Sequence, residues 1–146
     1  MLNTESKEKF IDFLDGFLSL KPPAFSPVGL IILAGDDVAE VKKIFEEKEF
    51  VRYEISSDPY LKDLATAVEK SETPVWCAIN QAIPKKLENF LDDFVRGSIS
   101  LNIPGESEPR VLNPVPDSAK ILILMSPEAY EESVGLEKVI SSVCRL

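Results

Sequence analysis

Asp36 and Asp37 form an acidic pair directly after Gly35, at the end of an apolar run. Such a pair can hold a divalent cation through hard oxygen ligands. It can equally cap a helix and sit on its positive end. Ser126 closes another apolar run and precedes Glu128, Glu131 and Glu132. Grouped carboxylates can act as acid and base, although a solvated helix face has the same composition. Thr73 and Ser126 supply hydroxyls, but the chain contains no His, which excludes a Ser–His nucleophile. The lack of His also removes the commonest general base and transition-metal ligand. Cys77 and Cys144 are the only two cysteines and lie far apart, with no zinc-ligand spacing. They are expected to be small buried residues of a reducing compartment, with a disulfide or a reactive thiol as the alternative. Lys85-Lys86 is too short a run for a nucleic-acid patch.

These residues sit in a chain of 146 residues, 45% apolar and 28% charged, long enough for one domain with its own core. The formal net charge of −9 repels phosphate at long range and argues against nucleic-acid and anionic-membrane partners. No stretch has the apolar length of a membrane span, and the start "MLNTESKEKF" lacks the pattern of a signal peptide. A cytoplasmic location is expected.

The positioning elements follow from periodicity. Asn3 or Thr4 caps a first helix whose apolar face is Phe10, Phe13, Leu14, Phe17 and Leu18. "LKPPAFSP" stops it. Four short apolar strands are predicted in "VGLIILAG", "FVRYEIS", "TPVWCAIN" and "AKILILMS". Helices are predicted between the first three, in "DDVAEVKKIFEEKE" and in "DPYLKDLATAVEKSE", the latter capped by Asp58 with Pro59 in its first turn. A third, "IPKKLENFLDDFVRG", ends at Gly97. "SISLNI" and "PRVLNPV" around "PGESE" predict a β-hairpin. "PEAYEESVGLEKVISSVCRL" is expected to be a mostly helical tail. Alternating strands and helices call for an α/β three-layer sandwich on a parallel sheet. Its ligands would lie beyond the carboxyl ends of the strands. The expected layout is a single domain over 1–146, with an N-terminal helix and Pro-rich connection over 1–26 and a hairpin insertion over 98–117, before the last strand.

Taken in order, "VWCAINQAIPKKLENFLDDFVRGSISL", "AKILILMSPEAYEE" and "GLEKVISSVCRL" resemble the core of an AAA+ ATPase, most nearly the MoxR-like branch. The resemblance rests on Ile79-Asn80, Pro84, Leu87, Asn89, Gly97, Ser126-Pro127 and Tyr130-Glu131, spread over Pro74 to Leu146. It implies the P-loop NTPase fold with strand order 1-4-3-2. The first half resembles the family only in outline. Where the family has its phosphate loop G-x-x-x-x-G-K-[ST], this chain has Gly35, Asp36 and Asp37, then Glu40 for the second Gly, Val41 for the Lys and Lys42 for the hydroxyl residue.

The resemblance therefore implies a site without its chemistry. A working loop aims backbone N–H groups and a Lys at phosphate. Asp36 and Asp37 would instead oppose it, and one like-charge pair at about 4 Å costs around 4 kcal/mol at an effective dielectric near 20. Cys77 and Ala78 stand where the family's two carboxylates hold Mg²⁺ and orient water. Ser126 stands for the sensor Asn, and Arg145 for an Arg that reaches a neighbouring subunit's nucleotide; a plain surface Arg is the alternative. The chain is expected to stop where the family continues into a fifth strand and a helical lid, either as a reduced module or as a piece of a longer protein. No cofactor and no metal is expected. The implied function is a pseudo-ATPase acting as a protein-interaction or regulatory module, partnered by an active AAA+ ATPase or by itself. The hairpin around Pro104 to Glu108 and the first helix are the expected contact elements.

Two other readings stay open. One is a nucleotide-binding or hydrolytic enzyme with an atypical site at Asp36, Asp37 and Ser126. The other is a receiver-like signalling domain, which "LIILAGDDVAEVKKIFEEKEFVRYEIS" also resembles, lacking its phosphoacceptor Asp because Cys77 or Ala78 stands there.

Overall fold

A computed structural model describes residues 2–19, 27–70, 74–112, 120–140 and 142–146. The Pro-rich connection over 20–26, the hydroxyl of Thr73 and the last part of the expected hairpin insertion lie outside the described residues.

Strands β1 (Val28–Ile32), β3 (Val75–Ile79) and β6 (Ile121–Met125) form the centre of a parallel sheet. Nearly all of their residues are buried, as continuous apolar runs require when helices cover both faces. Their side chains alternate between two apolar layers. Leu30, Cys77 and Ile123 enter one; Ile31, Trp76 and Leu122 enter the other. Helices α1 (Thr4–Ser19) and α2 (Val38–Glu47) close the second layer with Phe10, Leu14, Phe17, Val41, Ile44 and Phe45. Helices α3 (Lys62–Lys70) and α4 (Lys85–Arg96) close the first with Leu64, Val68, Leu87, Phe90 and Phe94. The result is a three-layer α/β sandwich.

The helix ends follow local chemistry. Asn3 Oδ1 accepts the N–H of Ser6 at 2.7 Å and caps α1. Gly97, with φ of 93°, ends α4 in the left-handed conformation that glycine adopts without penalty. A hairpin of β4 (Ile99–Leu101) and β5 (Arg110–Leu112) leaves α4 and packs Ile99 and Leu112 under the α3/α4 layer. Arg110 ties it to α3 through Glu69, 3.0 Å away.

Four expectations need correction. The tail is not mostly helical: α5 (Pro127–Glu132) is short, a 3₁₀ turn spans Leu136–Lys138, and β7 (Ser142–Arg145) is a fifth strand of the sheet. With β2 at Val51–Arg52, the sheet order, β2-β3-β6-β1-β7, therefore differs from the expected 1-4-3-2 by a strand added beyond β1, and the hairpin precedes the last strand but one. An isolated chain segment cannot show this, since β7 exists only by pairing with Gly29 to Ile32. Strand β2 (Val51–Arg52) is shorter than "FVRYEIS" predicts. Finally, α3 starts at Lys62 rather than at Pro59, because the Asp58 carboxylate caps it from four residues ahead. The order is also not the doubly wound 2-1-3-4-5 of receiver-type folds, in which the first strand separates the second from the third. Here β6 lies between β1 and β3, and β3 pairs β2 directly.

Two contacts join the layers. Gly29 lets Phe17 lie on the sheet: a Cβ there would meet the Phe17 ring at 3.0 Å and Leu122 at 3.1 Å. Lys120, only 3% exposed, donates from Nζ to the carbonyls of Phe17 at 3.1 Å and Leu18 at 2.6 Å. A cation at a helix carboxyl end meets both unpaired carbonyls and the negative end of the dipole.

Candidate functional site

Parallel pairing brings the carboxyl ends of β1, β3, β6 and β7 to one edge of the sheet. Ile32 is level with Met125 and Arg145, and Met125 with Ile79. Beyond these ends stand the Gly35–Asp37 turn, Asn80 and Ser126, while Arg145 is itself the last residue of β7. Gly35 and Ser126 follow the adjacent strands β1 and β6. Cys77 and Ala78 do not stand at this edge, because both lie within β3 and Ile79 separates them from its end.

Several of these positions hold structural tasks. Gly35–Asp37 is one 3₁₀ turn running straight into α2. Gly35 has open space where a Cβ would go and is not among the positive-φ residues, so nothing there demands glycine. Asp37 occupies the N-cap of α2 without a capping hydrogen bond from its side chain. The expected cap is thus met in position but not in bonding. Glu40 lies inside α2, and its Oε2 accepts the N–H of Leu2 at 2.7 Å. Val41 is fully buried in the layer of Phe10 and Phe45. Lys42 follows on α2 and is half-buried. It leaves the helix about 100° around from Val41.

Cys77 is buried in the opposite layer, and burial pushes its thiol up to about 12, with Glu54 adding to the shift. A thiol held in this way is protonated at neutral pH and so is a poor nucleophile. Burial also raises the Cys144 thiol, the charge of Lys9 opposing that shift. Both cysteines are free, and they face opposite layers of the sheet. Ala78 is half-buried against the α1/α2 layer. The Ser126 hydroxyl accepts the N–H of Ala129 at 3.1 Å and caps α5. Arg145 is exposed at the end of an edge strand, not at the end of a helix, with its guanidinium 5.2 Å from the centre of the Tyr130 ring. Among the described residues, no group of three or more potential ligands converges on a metal position.

A second cluster follows β2. The Asp58 carboxylate, 4% exposed, accepts the N–H groups of Lys62, Asp63 and Leu64 at 2.9, 3.0 and 3.2 Å. Tyr53 is buried beside it, and its hydroxyl has no well-placed hydrogen-bond partner among the described residues. Burial first, and the Asp58 carboxylate second, hold its proton on well above the usual phenol range. Leu61 completes the turn at φ of 57°, a strained value for a branched residue, with its side chain in the core. Lys86 Nζ clamps the same turn through the Pro59 carbonyl at 2.7 Å. The composition of "SSDPYL" signals a turn, but the convergence of Tyr53 and Lys86 on it has no local signature.

The turn, α4 and β4 line a groove of about 270 Å³, with Tyr60 on its rim, 54% exposed. The hairpin loop from Asn102 to Pro109 frames a shallow depression of about 260 Å³. On α1, Lys7, Glu8, Ile11 and Asp12 line another of about 450 Å³. These surfaces are open, whereas Val41 and Cys77 are committed to packing and Ser126 to capping. No family model, curated protein or solved structure matches the chain.

Proposed function

We propose that this chain is a non-catalytic, AAA+-like domain that has lost nucleotide binding and hydrolysis and works as a protein-interaction or regulatory module. Val41 carries this reading. It takes the place that the resemblance gives to the phosphate-binding lysine, and it is fully buried in the core. No rotamer change can turn it into a cation. The sealed thiol of Cys77 and the capping role of Ser126 support the same reading. So does the adjacency of β1 with β6, β6 with β3, and β3 with β2. The partner is a protein, either an active AAA+ ATPase or another copy of this chain. The turn at Tyr60 and the hairpin loop offer rigidly mounted contact residues.

The test is a thermal shift with ATP and Mg²⁺. A ligand held at about a hundred times its Kd stabilises by roughly 2.7 kcal/mol, which moves the midpoint by several degrees. No shift is expected at any nucleotide concentration. A saturable rise that vanishes on removing Mg²⁺ overturns the proposal.

A further inference from the structure

The edge strand β7 is tied to α1 by a contact outside the core. Lys9, on the exposed side of α1, donates from Nζ to the backbone carbonyl of Arg145 at 2.8 Å. That carbonyl points away from the sheet. The N–H of Leu146 bonds to Ile32 at 2.9 Å, and along a parallel strand alternate residues turn their backbone groups to the same side. Cys144 therefore faces β1, while Val143 and Arg145 present N–H and C=O groups to the open edge. Among the described residues, no strand pairs β7 on that side. Val143 adds an apolar side chain, 42% exposed. An unpaired edge of this kind is a template for another chain, and proteins often blunt it with a lysine.

The outward groups suit one occupant in particular. Val143 and Arg145 flank Cys144, so two copies of β7 can meet antiparallel about a two-fold axis at Cys144. Val143 of each copy then exchanges both backbone hydrogen bonds with Arg145 of the other, an isologous arrangement needing no second surface. Val143 and Arg145 share one face of the strand, so the Arg stem would cover the exposed Val of its mate. The geometry points to Lys9 as an edge guard: its ammonium holds the Arg145 carbonyl that a second copy of this chain would need in order to extend the sheet across β7. This inference does not rest on the interaction-module reading.

The experiment compares self-association of the full chain by sedimentation, over a wide concentration range, for the wild type, Lys9→Met and Lys9→Arg. Lys9→Met keeps the stem and removes the donor. It is expected to dimerise at least about tenfold more tightly than the wild type, whereas Lys9→Arg stays close to it. Amide exchange at Val143 and Arg145 should slow as the dimer forms. Adding Val143→Pro, which removes an outward donor not used by β1, or Val143→Lys, which keeps the donor and adds repulsion, should return Lys9→Met to the monomer. Circular dichroism identifies variants that fold, and Lys9→Ala serves if Lys9→Met does not. A folded Lys9→Met or Lys9→Ala protein that associates no better than the wild type overturns the inference. Association that leaves the Val143 and Arg145 amides unprotected, or that survives both Val143 changes, also overturns it.

Discussion

The ammonium of Lys120 lies 2.6 Å from the carbonyl oxygen of Leu18, joining the residue before β6 to the carboxyl end of α1. Lys120 is almost wholly buried, so this bond replaces water that the charge has lost. Lys120→Met keeps the stem but leaves the Phe17 and Leu18 carbonyls without their donor. A loss of about 2–3 kcal/mol is expected from equilibrium denaturation, since hydrogen bonds to charged groups are worth about 1.5–3 kcal/mol each and the two share one ammonium. A change under about 0.5 kcal/mol, the size of an ordinary surface substitution, refutes it.

Gly29 and Phe17 make a sharper steric test. Gly29→Ala puts a methyl group 3.0 Å from the Phe17 ring. Overpacking of this kind costs about 1–3 kcal/mol. The double variant Gly29→Ala/Phe17→Leu should lose less than the sum of the two single changes, because the smaller side chain relieves the clash. Strict additivity in chemical denaturation would show that the two do not press on each other.

The Asp58 cap serves three N–H groups at once. Asp58→Ala is expected to destabilise by about 1–2 kcal/mol, the upper range for a cap, with Asp58→Asn losing less because one acceptor oxygen remains. Faster amide exchange should appear first at Lys62, Asp63 and Leu64. Uniform exchange along α3 would contradict the cap.

The buried thiol of Cys77 predicts alkaline weakening of the fold. Its proton is held up to about 12 in the native protein, against about 8.5 in the unfolded chain. Between these values the unfolded state binds fewer protons, so stability falls as pH rises. It is fully present below about pH 8.5 and declines by about 1.4 kcal/mol per pH unit toward pH 12. Tyr53 adds a decline of the same sign above its own unfolded value, near 10. Cys77→Ala should therefore make the fall between about pH 9 and 10 shallower, whatever its cost at neutral pH. Identical slopes in denaturation series at several pH values would remove Cys77 as the cause.

The parts most legible in the sequence are those with strong local signals. The apolar runs at Val28 and Ile121 have the length and composition of buried strands, and they are such strands. Gly97 announces the end of α4, and Asn3 the start of α1. The segment after Glu132 is different: Leu136, Val139 and Ile140 carry helical spacing, yet among the described residues only one 3₁₀ turn forms before β7. The preference of four residues for pairing with β1 outweighs a weak helical period. The start of α3 is not legible for a similar reason, since Asp58 caps from a distance set by a turn that Lys86 and the buried Leu61 hold in place.

The sequence alone determined a parallel α/β domain with two apolar layers, because periodicity and continuous apolar runs leave little else that buries those residues. It also established which chemical groups stand at the positions of the resemblance. Only the tertiary structure decided what those groups do. Burial of Val41 and the reach of Lys9 to Arg145 depend on elements distant in the chain. Such proximity follows from packing, and no run of neighbouring residues encodes it.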